Sequence, residues 1–170
     1  MQQKFFVMLL AAALMAACTR SSIQVSRVVP EELAFGLGET LDIRNCDSND
    51  EMLTTLASEA PVRQRVSIAE EATSVDTGAT IEIPADTLAN LNKQIEGAYQ
   101  QEYEQAVAST EQVEFNIPGH MIHMYKIKWN QQVFRSIVSF SINSQACTAS
   151  YTYALEIPEL DSATVMACTA

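Results

Sequence analysis

The chain has 170 residues, 48% of them hydrophobic, and carries 21 Asp and Glu against 10 Lys and Arg, a net charge of −11. This length suits a single domain with a proper core. The acidity excludes nucleic acid as a partner, because phosphate binding needs a cationic face, and it opposes docking on anionic lipid headgroups. In chain order, Lys4 supplies a positive start and Phe5 to Ala17 runs without a charge. The run ends in small residues followed by Cys18. A charged start, a short apolar stretch and a small-residue end make an export signal. The apolar run is too short for a membrane span, which takes about 20 residues.

Ala16-Ala17-Cys18 after that run resembles the lipobox of bacterial lipoproteins. The resemblance covers Met1 to Cys18 and implies cleavage before Cys18 and acylation of its sulfur. Met15 stands where that family usually has Leu, an apolar exchange of similar volume. Ordinary cleavage at Ala11-Ala12-Ala13 is the competing reading. Two or three acyl chains hold a protein on a bilayer stably, whereas one does not. The implied organisation is a signal peptide over residues 1–17, a lipid anchor and tether over 18–30, and one β-rich globular domain over 31–170. The implied place is the cell envelope, facing the extracytoplasmic side. Cleavage removes Lys4 and takes the net charge to −12.

The tether, if extended, spans roughly 35–40 Å. Thr40 to Cys46 reads as the first strand, with Leu41, Ile43 and Asn45 on one face. Asp47-Ser48-Asn49-Asp50 is turn chemistry. Val62 to Ile68 and Ala79 to Ile83 are short strands, the latter closed by Pro84. Asp86 reads as a helix N-cap. Leu88, Leu91, Ile95, Tyr99 and Tyr103 recur at helical steps, which predicts one rod over 87–108, about 33 Å long. Gly97 is its expected weak point. Period-two alternation then predicts strands at Val113–Ile117, Met121–Trp129, Phe134–Ile142 and Cys147–Ile157, with a hairpin at Asn130-Gln131, a turn at Asn143-Ser144-Gln145 and a short last strand at Ala163–Cys168. The expected fold is α+β: one long helix packed on an antiparallel, meander-type sheet of about seven strands.

An exported chain sits where disulfides form. With Cys18 assigned to lipid, the expected bridge is Cys46–Cys168, stapling a strand end to the last residues, with Cys147 a buried thiol. Cys147–Cys168 and three free thiols are the alternatives. His120-Met121-Ile122-His123-Met124 invites copper. In a strand, however, positions i and i+3 point to opposite faces, so His120 and His123 converge only if His120 sits in the turn after Gly119, and no tight metal site is expected. Asp47 to Glu51 alternates oxygen ligands but has Met52 and Ser58 where a calcium loop needs Gly and an acid. Glu70-Glu71 and Glu102 with Glu104 read as solvated faces. Lys126, Lys128 and Arg135 form a basic spot with cross-strand acids as partners. Tyr99, Tyr103, Tyr125, Trp129, Tyr151 and Tyr153 read as core rather than as a ligand groove. No nucleophile elbow, phosphate loop, dinucleotide fingerprint or zinc-protease motif occurs, and no cofactor is indicated. The chain therefore reads as a membrane-tethered, non-catalytic binding or surface module, whose partner is a protein or an envelope polymer. The second reading is a small envelope enzyme or a metal-handling protein using the His/Met cluster.

Overall fold

The computed structural model describes residues 23–27, 32–35 and 38–168. The export segment, Cys18 and most of the tether lie outside them. Among the described residues there are ten strands and three helices: β1 (Gln24–Val25), β2 (Glu32–Phe35), β3 (Glu39–Asn45), β4 (Met52–Thr55), α1 (Leu56–Glu59), β5 (Arg63–Ile68), β6 (Glu71–Ser74), β7 (Thr80–Glu82), α2 (Ala85–Ala98), α3 (Gln100–Glu111), β8 (Glu114–Ile117), β9 (Met121–Ile142) and β10 (Gln145–Ala167).

The spine is one antiparallel hairpin. β9 and β10 pair from Ile142↔Gln145 at the turn to Met121↔Ala167 at the open end. At strand rise this makes a ribbon of about 70 Å. Asn143 and Ser144 both take left-handed backbone, φ 49 and 68, which is the twist that a two-residue hairpin loop requires. The N-terminal strands run down the outer edge of β9: Gln24 lies opposite Ser139, Glu32 opposite Val133, and β3 opposite Met121 to Ile127. β5 and β6 line the outer edge of β10, and β7 adds to β6. These eight strands form one sheet; β4 and β8 form a separate pair. β5 leaves β10 at Glu156, and Asp161 to Ala167 are exposed.

The fold is thus mostly β, which corrects the expected long helix and meander. The predicted rod over 87–108 is two short helices kinked at Tyr99, with φ −108 and ψ 13. Backbone bonds from Tyr99 N–H to Ile95 O and from Tyr103 N–H to Tyr99 O carry the ladder across. The kink falls at Tyr99, whose buried ring packs on Phe134 and Tyr153, not at Gly97, where added bulk would meet nothing within 4 Å. Pro84, not Asp86, occupies the N-cap, and it makes no side-chain bond. Asp86 lies in the first turn, where its charge suits the positive helix end. Gln24 and Val25, read from sequence as tether, already belong to the sheet.

No turn occurs at Asn130-Gln131. The alternation does change phase there, for another reason. Tyr125, Ile127 and Trp129 are buried in the open half; Phe134, Val138 and Phe140 are buried in the turn half. Odd and even residues leave a strand on opposite faces. The pairing continues without a register shift from Asn130 to Ile142. The buried face of the ribbon therefore changes over near Val133 and Phe134, both of which are buried.

Two cores result. In the turn half, Phe134, Val138, Cys147, Tyr151 and Tyr153 meet Leu91, Ile95 and Tyr99 from the helices. In the open half, Ile43, Tyr125, Ile127 and Trp129 meet Leu56, Phe115 and Ile117 from α1 and β8. Each cover protects one face of one half. Among the described residues the opposite face of the turn half has none, and Arg135, Ile137, Ser141 and Ser150 are exposed on it.

Candidate functional site: a bare sheet face and a stapled corner

The open end of the ribbon is closed by a corner. Cys46 and Cys168 are disulfide-bonded, with Cα atoms 5.7 Å apart; Cys147 is a buried free thiol. His120 sits beside them in left-handed backbone, φ 60. Its N–H donates to Asn45 O at 2.7 Å and its carbonyl accepts from Cys168 N–H at 2.9 Å. Ring Nδ1 donates to Cys46 O at 3.1 Å, and Nε2 lies 2.7 Å from Asn49 Oδ1. Both ring nitrogens thus serve the corner. His123 Nδ1 instead meets the Tyr125 hydroxyl at 2.9 Å. The two histidines are therefore not brought to a common ligand position, and no group of three His, Cys, Asp or Glu side chains gathers among the described residues.

The acidic turn after Cys46 is the corner's other wall. The buried amide of Asn45 donates to Asp50 O and Ile117 O, at 2.7 and 2.9 Å. Gly119 packs directly on the turn: a Cβ there would lie 2.5 Å from Ser48 O and 2.7 Å from Asn49 O. Both neighbours are backbone and cannot swing away. Gly119→Ala is accordingly expected to lower stability by about 1–3 kcal/mol, the usual cost of overpacking. Urea unfolding checks it, and a wild-type midpoint would refute the close approach.

The aromatic residues are core, divided between the two clusters. Tyr99 stacks on Tyr153 with ring centroids 4.5 Å apart, and its hydroxyl is 2.9 Å from that of Tyr151. The Tyr151 hydroxyl also donates to Ser26 O at 2.6 Å. Arg27 pairs with Glu102 and lies 5.7 Å from the Tyr99 ring centroid. Residues 23–27 are thus strapped to the aromatic cluster. Burial holds the Tyr151 and Tyr153 hydroxyls well above their ordinary range; the Tyr99 hydroxyl adds to the first, Glu102 and Glu96 to the second. In the unfolded chain both ionise near pH 10. Their contribution is complete below that pH and is lost as pH rises above it. The unfolding midpoint is expected to fall above pH 10, with the tyrosinate absorbance of Tyr151 and Tyr153 appearing only as the fold is lost. Tyrosinate absorbance rising fully at pH 10 in folded protein would contradict this.

A groove of about 470 Å³ lies between the end of α3 and β10, lined by Leu56, Thr110, Asn130 and Leu160 among others. Glu159 is the one ionisable residue in its lining. The Ser109 and Thr110 hydroxyls are spent on carbonyls of their own helix.

The bare face is different. Register places Gln24, Ser139, Thr148, Thr73 and Thr80 in one row across five strands, so four hydroxyl residues follow one another at the strand spacing of about 4.8 Å. A second row is Arg135, Thr152 and Ser67. Arg65 stands on the same face two residues along β5. A shallow depression of about 320 Å³ opens among Ser67, Arg135, Ser150 and Thr152. Lys126 and Lys128, expected from sequence to share a basic spot with Arg135, have even numbers and leave β9 on the other face; Lys128 pairs with Asp161. The outward Ser and Thr of β9 and β10 are evident in the sequence, but their alignment with β5, β6 and β7 is not. Only cross-strand register supplies that. Comparison with protein-family models, with curated proteins and with solved structures finds no match for this chain.

Proposed function

We propose that the chain is a lipid-anchored extracytoplasmic lipoprotein, a non-catalytic module that uses the bare face of its sheet to bind a component of the envelope. The observation that carries this reading is the hydroxyl-lined face itself, uncovered among the described residues, on the half of the ribbon where β1 begins. Gln24 pairs with Ser139 near the hairpin turn. Four residues separate Cys18 from Ile23, five chain steps with a reach of at most about 18 Å. A lipid on Cys18 would hold that face close to the bilayer. The Cys46–Cys168 bridge fits an oxidising compartment.

Anchoring is tested by Cys18→Ser. The expected result is complete loss of radiolabelled acyl chains from the protein and its transfer from the membrane to the soluble fraction. A wild-type protein that begins at Leu14 and carries no lipid would overturn it.

A further inference from the structure

We infer that two copies of the chain pair edge to edge along Asp161–Ala167, antiparallel and two-fold symmetric about Thr164. The contact lies in the open half of the ribbon and stands apart from the reading given to the bare face. Its first support is an unfinished edge. β5 pairs with β10 from Tyr151 to Glu156 and no further. Among the described residues the outer edge of β10 beyond Glu156 therefore has no ladder partner, and Asp161 to Ala167 are exposed. Cys168 N–H donates inward, to His120 O. The backbone groups of an antiparallel strand alternate in direction, so those of Ala163, Val165 and Ala167 point away from β9. The edge is also held in place. β9 backs it along its length, and the bridge to Cys46 fixes its end. An edge already extended loses little freedom when it pairs.

The second support is that this edge is unguarded. Exposed edges are usually blunted by charge, proline, a bulge or shortness. β3 carries Glu39, Asp42 and Arg44, β5 carries Arg63 and Arg65, and β7 is 3 residues long. β10 has Pro158, and its register breaks between Leu160 and Ser162. Beyond the break, Ser162-Ala163-Thr164-Val165-Met166-Ala167 has neither charge nor proline. Val165 and Met166 are 51% and 43% exposed. They leave the strand on opposite faces, so a partner lying on one face covers only one of them. A strand laid along the edge reaches both.

Self-complementarity names the occupant as a second copy. Thr164 is the midpoint of Asp161–Ala167. Pairing about it sets Val165 against Ala163 of the second copy, Met166 against its Ser162, and Thr164 against its Thr164. Large side chains thus meet small ones, and a Thr–Thr pair across strands is favourable. Asp161, which pairs with Lys128, lies opposite Ala167, so no like charges are opposed. Behind Ala163 stands Tyr125, whose buried ring gives the incoming Val165 an apolar neighbour. A contact of this symmetry closes at two copies. The open-half strands β3, β9 and β10 then continue into those of the second copy as one sheet. One strand on each side makes an interface of the small, transient class, below about 1,200 Å², so the dimer is weak in dilute solution.

The test uses the full-length, disulfide-bonded chain in detergent. Single cysteines are introduced and oxidised with copper phenanthroline. In the inferred register residue 164 faces its own copy across a non-hydrogen-bonded pair, with Cα atoms about 4.5 Å apart, within disulfide reach. Thr164→Cys should give a covalent dimer. Ser162→Cys and Met166→Cys should each give none alone and a dimer when mixed. Val75→Cys, exposed beside β6, should give none. Sedimentation equilibrium at detergent density match should show a monomer–dimer equilibrium. Val165→Lys should weaken it about ten-fold or more, with an unchanged melting temperature, and Val75→Lys should leave it as it is. A monomer at concentrations up to about 1 mM, a dimer indifferent to Val165→Lys, or crosslinking of Thr164→Cys no greater than that of Val75→Cys would overturn the inference. So would association beyond two copies, the mark of an open contact.

Discussion

Replacing Cys46 and Cys168 together by Ala is expected to remove about 5 kcal/mol of stability, from the chain entropy of a loop this long. The two residues are 122 positions apart. Domains are stable by only about 5–15 kcal/mol, so the loss takes a third or more of the total. The damage should be localised before it is global. Asp161 to Ala167 are exposed and, among the described residues, have β9 as their one strand neighbour. Without the bridge, the open end is held by the pairing of β9 with β3 and β10 and by the His120 and Asn45 hydrogen bonds. Hydrogen exchange should therefore quicken first in Met121–Tyr125 and Ala163–Cys168, while the Tyr99 cluster stays protected. Urea unfolding supplies the total. A loss under 1 kcal/mol, or uniform exchange along the ribbon, would show that the corner holds without its bond.

Tyr99→Ala should cost about 3–5 kcal/mol, the range for deleting a large buried ring. Tyr99 is fully buried, touches Phe134 at 4.7 Å and Tyr153 at 4.5 Å, and lies at the kink between α2 and α3. Tyr99→Phe keeps the packing and removes the hydroxyl, which should cost about 1 kcal/mol. The pair of variants separates packing from hydrogen bonding. Denaturation of both measures it, and equal losses would show that the hydroxyl chain to Tyr151 and Ser26, not the packed ring, is what holds this core. Tyr99→Ala should also release the strap. Arg27 loses the ring beneath it, so proteolysis near Ser26 is expected to accelerate.

The sequence was legible where a local signal had one meaning. Leu41, Ile43 and Asn45 share the inward face of β3, as their spacing predicts. Asn143-Ser144 marks the turn because few other residues tolerate left-handed backbone. Cys46 and Cys168 follow from position, each ending a strand beside a polar or terminal segment. The long hairpin was misread because a phase change has two causes. A turn resets the alternation, and so does a switch of buried face within one strand. Trp129 and Phe134 look the same in either case; the difference lies in the α1–β8 and helix covers, which come from distant sequence. The single rod failed for a similar reason. The stripe from Leu88 to Tyr103 is helical throughout, and only the partners of Tyr99 on β9 and β10 put a kink in it. The hydroxyl row was invisible, since its four members come from four strands.

The order in which the strands pair has a consequence for the newly made chain. Every strand from β1 to β3 needs β9 beside it, and β5 and β6 need β10. During synthesis the first half of the sheet must wait, its edges unsatisfied, until the last third of the protein exists. Cys46 waits with it, and the first thiol made after it is Cys147, not Cys168. Cys168 follows Cys147 by 21 residues. Closure of the turn-half core seals Cys147 away from solvent, which leaves Cys168 as the thiol that Cys46 can reach once the helices have docked.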